Sequence, residues 1–169
     1  HLKKGSLPGV ETSSGSLGHG LGLACGIACA DKTGGSPART FVLMGDGECN
    51  EGSVWEAAMF ASRQGLDNLV AIVDRNRLQS YGHDDKVLNM GDLAAKFAAF
   101  GFHAIDVDGH DYAALHRAFA EAEACKGKPT AIIANTVKGK GVSFMEDRVE
   151  WHYKWPDDQQ YIKAQEELK

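Results

Sequence analysis

The run Gly45-Asp46-Gly47-Glu48-Cys49-Asn50-Glu51-Gly52, with Asn76 thirty residues beyond Asp46, carries the most legible chemistry in this chain. A carboxylate and a side-chain carbonyl are oxygen donors for a hard cation. Magnesium takes about six oxygens in near-octahedral order, and the protein usually supplies one or two of them while phosphate and water supply the rest. Asp46, Asn76 and the backbone carbonyl of Leu78 are therefore candidate ligands of Mg2+ (or Ca2+). Gly45 and Gly47 have no Cβ to keep the backbone from an anion. Together these residues predict a divalent-metal and diphosphate site. Gly-Asp-Gly alone reads as readily as a turn. The full succession of strand, tripeptide, helix, strand and Asn favours the site.

Both ligands need elements to hold them. Residues 40–44 and 68–74 are short apolar, β-rich runs, so Asp46 and Asn76 are expected just past the ends of two adjacent buried parallel strands. That is where open α/β sheets bind ligands. A Gly- and Ala-rich helix is expected over 17–31, broken by Gly34-Gly35-Ser36-Pro37. A second helix is expected over 53–64, with Ser53 as N-cap and Glu56 completing a capping box. Residues 79–87 read as a loop. Helices near 92–100 and 112–125 alternate with strands near 103–107 and 130–135, and Pro156-Asp157-Asp158 opens a terminal helix. The alternation predicts an α/β fold, a parallel sheet with helices on both faces. Gly20-Leu21-Gly22 is no dinucleotide fingerprint, because the third Gly is misplaced and no strand precedes it.

Gly-Asp-Gly followed by Asn about thirty residues later resembles the thiamine-diphosphate signature. Further segments narrow the resemblance, which runs essentially end to end, to transketolase, and within it to the diphosphate-binding half that some organisms encode as a separate subunit. Pro8-Gly9-Val10-Glu11-Thr12-Ser13-Ser14-Gly15-Ser16-Leu17-Gly18-His19-Gly20 is similar to a family segment whose Gly and Leu backbone lies against the cofactor, a role that falls on Gly15 and Leu17. His19 stands where the family has Gln. Lys138-Gly139-Lys140-Gly141 and Trp151-His152 resemble a family pair whose Lys and His reach cofactor and donor sugar. His1 matches the family's substrate-contacting His, although Leu2 replaces the Pro that follows it there. Glu51 resembles the acidic residue of a carboxylate network between paired subunits. His83, His103, His110 and His116 have no recognisable partner spacing and read as structural or exposed.

The resemblance implies one thiamine-diphosphate-binding domain over 1–169, without the family's upstream segment and without the pyrimidine-binding half. It implies thiamine diphosphate with magnesium as cofactors, sugar phosphates as substrates, homo- or hetero-oligomers, and a complementary C-terminal subunit needed for turnover. The implied reaction moves a two-carbon ketol unit from a ketose phosphate to an aldose, with Lys138, His152 and His1 binding hydroxyls or moving protons. Three other readings remain open at this point. They are another thiamine-diphosphate enzyme half (deoxyxylulose-phosphate synthase or the alpha subunit of a 2-oxo-acid dehydrogenase), a cofactor-binding subunit without turnover, and an unrelated α/β phosphate-binding module.

Composition sets the remaining bounds. A chain of 169 residues can bury about two thirds of its unfolded surface, enough for one independent core. The net charge of −5 is spread without a basic stripe, which argues against nucleic acid as a partner. No apolar stretch approaches the roughly 20 residues of a membrane-spanning helix. Cys25, Cys29, Cys49 and Cys125 form no Cys-x-x-Cys pair, so free thiols and a reducing cytoplasm are expected.

Overall fold

Runs of β-branched and aliphatic residues make the strands, and polar or Gly-rich turns separate them. The computed structural model describes residues 1–8, 10 and 12–169; Gly9 and Glu11 of the Pro8 to Gly20 segment lie outside the described residues. In chain order the elements are α1 (His19–Thr33), β1 (Thr40–Gly45), a 3-10 turn (Gly47–Asn50), α2 (Gly52–Arg63), β2 (Leu69–Arg75), β3 (Leu78–Gln79) and β4 (Gly82–His83). They continue with α3 (Asp84–Val87), α4 (Leu93–Ala99), β5 (His103–Asp108), α5 (Tyr112–Ala124), β6 (Thr130–Asn135), a 3-10 turn (Val149–His152) and α6 (Asp158–Glu167).

Four strands form one parallel sheet in the order β1-β2-β6-β5. Their register sets Gly45 beside Asp74, Arg75 beside Asn135, and Asn135 beside Asp108, so all four carboxyl ends finish in line. Alternation along each strand divides the core in two. Leu69, Ala71 and Val73 of β2, with Ala131 and Ile133 of β6, meet Leu21, Ala24 and Ala28 of α1, Val54, Ala58 and Ala61 of α2, and Phe97 of α4. Val70 and Ile132 face the other way, onto Ala118 and Ala122 of α5. The aromatic rings of Trp55, Phe97, Phe100 and Phe102 tie α2 to α4 and to the entrance of β5. Helices do lie on both faces, but unevenly. Beyond α5, Phe41 and Leu43 of edge strand β1 stay exposed.

The structure corrects several details of the sequence reading. Residues 79–87 are not a loop: β3 and β4 pair as a hairpin and α3 follows. Ser53 caps nothing, because α2 begins at Gly52 and the Ser53 hydroxyl donates instead to the Gly18 carbonyl (3.1 Å). The capping box belongs to Asp157 and Gln160 of α6. Leu17 lies before α1, whose N-cap is Gly18 in a left-handed conformation (φ 81°).

Candidate functional site

Asp46 directly follows β1, and Asn76 directly follows β2. The pairing of these strands makes the two residues neighbours, as the sequence predicts. Asp46 is buried, at 4% exposure. Its carboxylate accepts the Gly47 N–H (2.8 Å) and the Arg77 N–H (2.6 Å), the second reaching across to the turn after β2. Burial holds the Asp46 carboxyl above the ordinary range; the two N–H groups oppose that shift, and the neighbouring Asp84 and Asp74 add to it. Among the described residues no lysine, arginine or histidine forms an ion pair with it. A buried carboxylate without a counter-ion is costly. A divalent cation is the partner this donor set fits.

Asn76 is buried too and is oriented from both ends: its Nδ2 donates to Asp74 Oδ2 (2.9 Å), and its Oδ1 accepts the Leu78 N–H (3.0 Å). Between them Arg77 adopts φ 63°, a left-handed conformation that a non-glycine residue takes at a cost of about 1 kcal/mol. The turn 76–78 is thus held in one shape. Among the described residues no three His, Cys, Asp or Glu side chains converge on a point. A cation here would take its remaining oxygens from backbone, phosphate and water. Gln79 lies over Gly47, where an added Cβ would come within 3.0 Å of its Cγ, and its buried amide Nε2 has no hydrogen-bond partner among the described residues.

The second predicted segment joins the same end of the sheet. Gly15 has φ 134°, and the His1 imidazole lies so close that a Cβ at position 15 would meet its Cγ at 3.1 Å. The structure therefore brings His1 and Gly15 together. Leu17 is 60% exposed. Gly18 is pressed against the turn after β1, where a Cβ would approach Ser53 Oγ to 2.5 Å and Glu51 Cβ to 2.6 Å. The residue that sequence reasoning missed is Glu48. Its Oε1 accepts the Gly18 N–H (2.9 Å) and its Oε2 the Gly45 N–H (3.2 Å). Glu48 stands inside the motif, but only the folded chain reveals its reach. Glu51 is exposed.

Lys138 and His152 arrive by a third route. The exit of β6 is stitched to β2 by Thr136, whose N–H donates to the Arg75 carbonyl (3.1 Å) and whose hydroxyl donates to Asp74 Oδ1. The chain then folds back, with the Asp147 N–H on the Lys138 carbonyl (3.0 Å) and the Trp151 indole N–H on the Phe144 carbonyl (2.8 Å). The turn carrying His152 packs against β3, the strand of Leu78 and Gln79. Partial burial and the nearby Lys138 ammonium hold the His152 imidazole below its ordinary value, which leaves it neutral near pH 7. An open cleft of about 1140 Å³ lies past the ends of β2 and β6, with Asn76, Arg77, His83, His110 and Thr136 in its wall but neither Lys138 nor His152. Asp46 does not line it, being buried at its β1 side.

A parallel sheet whose carboxyl ends gather a buried carboxylate, an oriented Asn and Gly-rich turns has the organisation of an α/β cofactor-binding domain. Residues 1–164 match the family model described as transketolase, thiamine diphosphate binding domain. The chain is 44% identical over 169 residues to an apulose-4-phosphate transketolase subunit of Actinobacillus succinogenes, covering 100% of this chain and 61% of that one. It is 42% identical over 162 residues to the corresponding subunit of Phocaeicola vulgatus, covering 96% of this chain and 58% of the other. The fold superposes on the crystal structure of transketolase from Campylobacter jejuni with a TM-score of 0.87 and 30% identity, over 92% of this chain and 25% of that one. The chain belongs to the transketolase family, as a thiamine diphosphate-binding domain. It spans about three fifths of the length of the two apulose-4-phosphate transketolase subunits.

Proposed function

We propose that this chain is the diphosphate- and metal-holding part of a split transketolase, working with a complementary subunit that carries the pyrimidine-binding domain. The observation that carries this reading is Asp46, buried with no counter-ion among the described residues, beside Asn76 at the ends of two paired strands. Asp46, Asn76 and the Leu78 carbonyl would hold Mg2+, or Ca2+ in its place, and the cation would draw in the diphosphate with the Gly45 and Gly47 backbone. Thiamine diphosphate supplies, when bound, an electron sink for breaking the bond next to a ketose carbonyl. The exposed backbone at Gly15 and Leu17 is free to lie along it.

Lys138 would offer an ammonium donor to a donor-sugar hydroxyl. His152, kept neutral by partial burial and by Lys138, can accept a hydroxyl proton at one ring nitrogen while donating from the other. His1, beside Gly15, is placed to contact the same substrate. The exposed carboxylate of Glu51 would face the complementary subunit. The names of the Actinobacillus and Phocaeicola relatives make a ketose phosphate such as apulose 4-phosphate the first donor to try. Ordinary pentose phosphates are the comparison, and pyruvate separates transketolase from the other thiamine-diphosphate reactions. The four free thiols suit a reducing cytoplasm, where we place the protein.

Calorimetric titration of thiamine diphosphate with and without Mg2+ tests the site. Binding should depend on the metal and fall at least about a hundredfold in Asp46→Asn, which keeps one acceptor oxygen but removes the charge. Metal-independent binding, or binding that survives Asp46→Asn, would refute the assignment. If the parent chain binds only once the complementary subunit is present, the site is completed across that interface.

A further inference from the structure

Glu48 presents an electrostatic problem. Its carboxylate bonds to the N–H of Gly45, next to Asp46, and so lies against a turn that must attract a diphosphate if the proposed function holds. A negative charge there works against an anion, and no cation among the described residues forms an ion pair with it. The charge is instead committed to two backbone donors far apart in sequence, Gly18 and Gly45, one on each carboxylate oxygen. Ser53, at the start of α2, grips the carbonyl of the same Gly18. Gly18 itself has no room for a side chain against Ser53 and Glu51. The N–H and the carbonyl of Gly18 are therefore both held by side chains that follow β1.

We infer that Glu48, assisted by Ser53, is a positioning residue that locks the Gly15 to Gly18 turn onto the end of β1. The inference rests on the proposed cofactor site and deepens it. The turn at Gly15 and Leu17 and the metal end at Asp46 come from different parts of the chain. Apart from the bonds of Glu48 and Ser53 to Gly18, the hydrogen bonds of the described residues before α1 stay within that stretch and the first residue of α1, as in Ser14 N–H to the Leu2 carbonyl. Glu48 ties it to the second at a fixed distance, so that a ligand spanning both meets a preformed surface rather than having to order it. A ligand that needs only the metal end should not sense the tie.

The test compares magnesium thiamine diphosphate with magnesium inorganic diphosphate, titrated into the parent chain, Glu48→Gln, Glu48→Ala and Ser53→Ala. In Glu48→Ala, thiamine diphosphate should bind about tenfold more weakly, while inorganic diphosphate binds as well as before or more tightly, since a nearby negative charge is gone. Glu48→Gln keeps one acceptor and should fall between. Equal weakening of both ligands, or of neither, would overturn the inference. Hydrogen exchange of the backbone over 15–20, measured without ligand, tests the tie separately from the site. It should quicken in both Glu48 variants and in Ser53→Ala while exchange in β2 and β6 holds, and unchanged exchange would overturn the inference even if the parent chain binds cofactor. A parent chain that binds neither ligand even with the complementary subunit present, while the variants still exchange faster than it, would leave the lock standing and sink the site reading.

Discussion

Among single residues, Asp46 and His152 show how position sets chemistry. Asp46 is pushed up by burial and His152 pushed down by partial burial and Lys138, so each is biased toward its uncharged form when no ligand is present. For His152 the depressed folded value means that its neutral form adds stability above the ordinary imidazole range, and this is lost as pH falls through the folded value. Replacing Lys138 with Met should move the imidazole titration, followed by NMR of the ring protons, back up toward the ordinary value. An unmoved midpoint would show that burial alone sets it. Asp46 and Asn76 could be proposed from residue type and spacing, because a hard cation calls for oxygen donors, and Lys138 only from the resemblance of its segment to the family. Glu48 could not, since its two partners lie thirty residues before it and three before it, and only the packing of α1's entrance against the 3-10 turn brings them together.

Among the elements, α4 illustrates how little of a helix's stability is local. Seven residues long, it is capped by Asp92, which accepts the Ala95 N–H, and it would not persist alone in water. Phe97, wholly buried between Trp55 and Phe102, holds it to the sheet. Phe97→Ala should cost about 3–5 kcal/mol, measured by denaturant unfolding. It should loosen the entrance of β5 before it affects the Asp46 turn at the opposite end of the sheet. The boundaries of β2 and β6 were legible because both strands are apolar on both faces. The β3–β4 hairpin was not, being two residues a side, too short for any periodicity to register.

Across the whole molecule, the two ends of the sheet are specialised. The carboxyl end gathers the candidate site residues, and the amino end is fastened by Asp67, which accepts from Lys32 of α1 (2.7 Å) and from the Gly127 N–H before β6 (2.9 Å). The Lys32 hydrogen bond, followed by that of Gly127, holds the Asp67 carboxyl below the usual range. Its stabilising effect is therefore present above the ordinary carboxylate value and is lost as pH falls through the lowered one. Asp67→Asn should cost about 0.5–1 kcal/mol near neutral pH, a drop of roughly 1–4 °C in thermal midpoint, with the difference vanishing in strong acid. An equal deficit at all pH values would mean that the charge is irrelevant there.

The α/β class, the four parallel strands and the family were all legible in the residues alone, because hydrophobic period, strand-ending Gly-Asp-Gly and the distant Asn are each patterns with a physical cause. That the domain is of the thiamine diphosphate-binding kind was legible too, from the resemblance of its Gly-Asp-Gly and Asn segments to that signature. Which groups share one end of the sheet emerged only from the folded chain. The order β1-β2-β6-β5 places β6, the last strand in the chain, next to β2, and this carries Lys138 and His152 toward Asn76. Strand order is set by how α1, α2, α4 and α5 bury their apolar faces against both sides of the sheet, a competition among contacts far apart in sequence that no local pattern encodes.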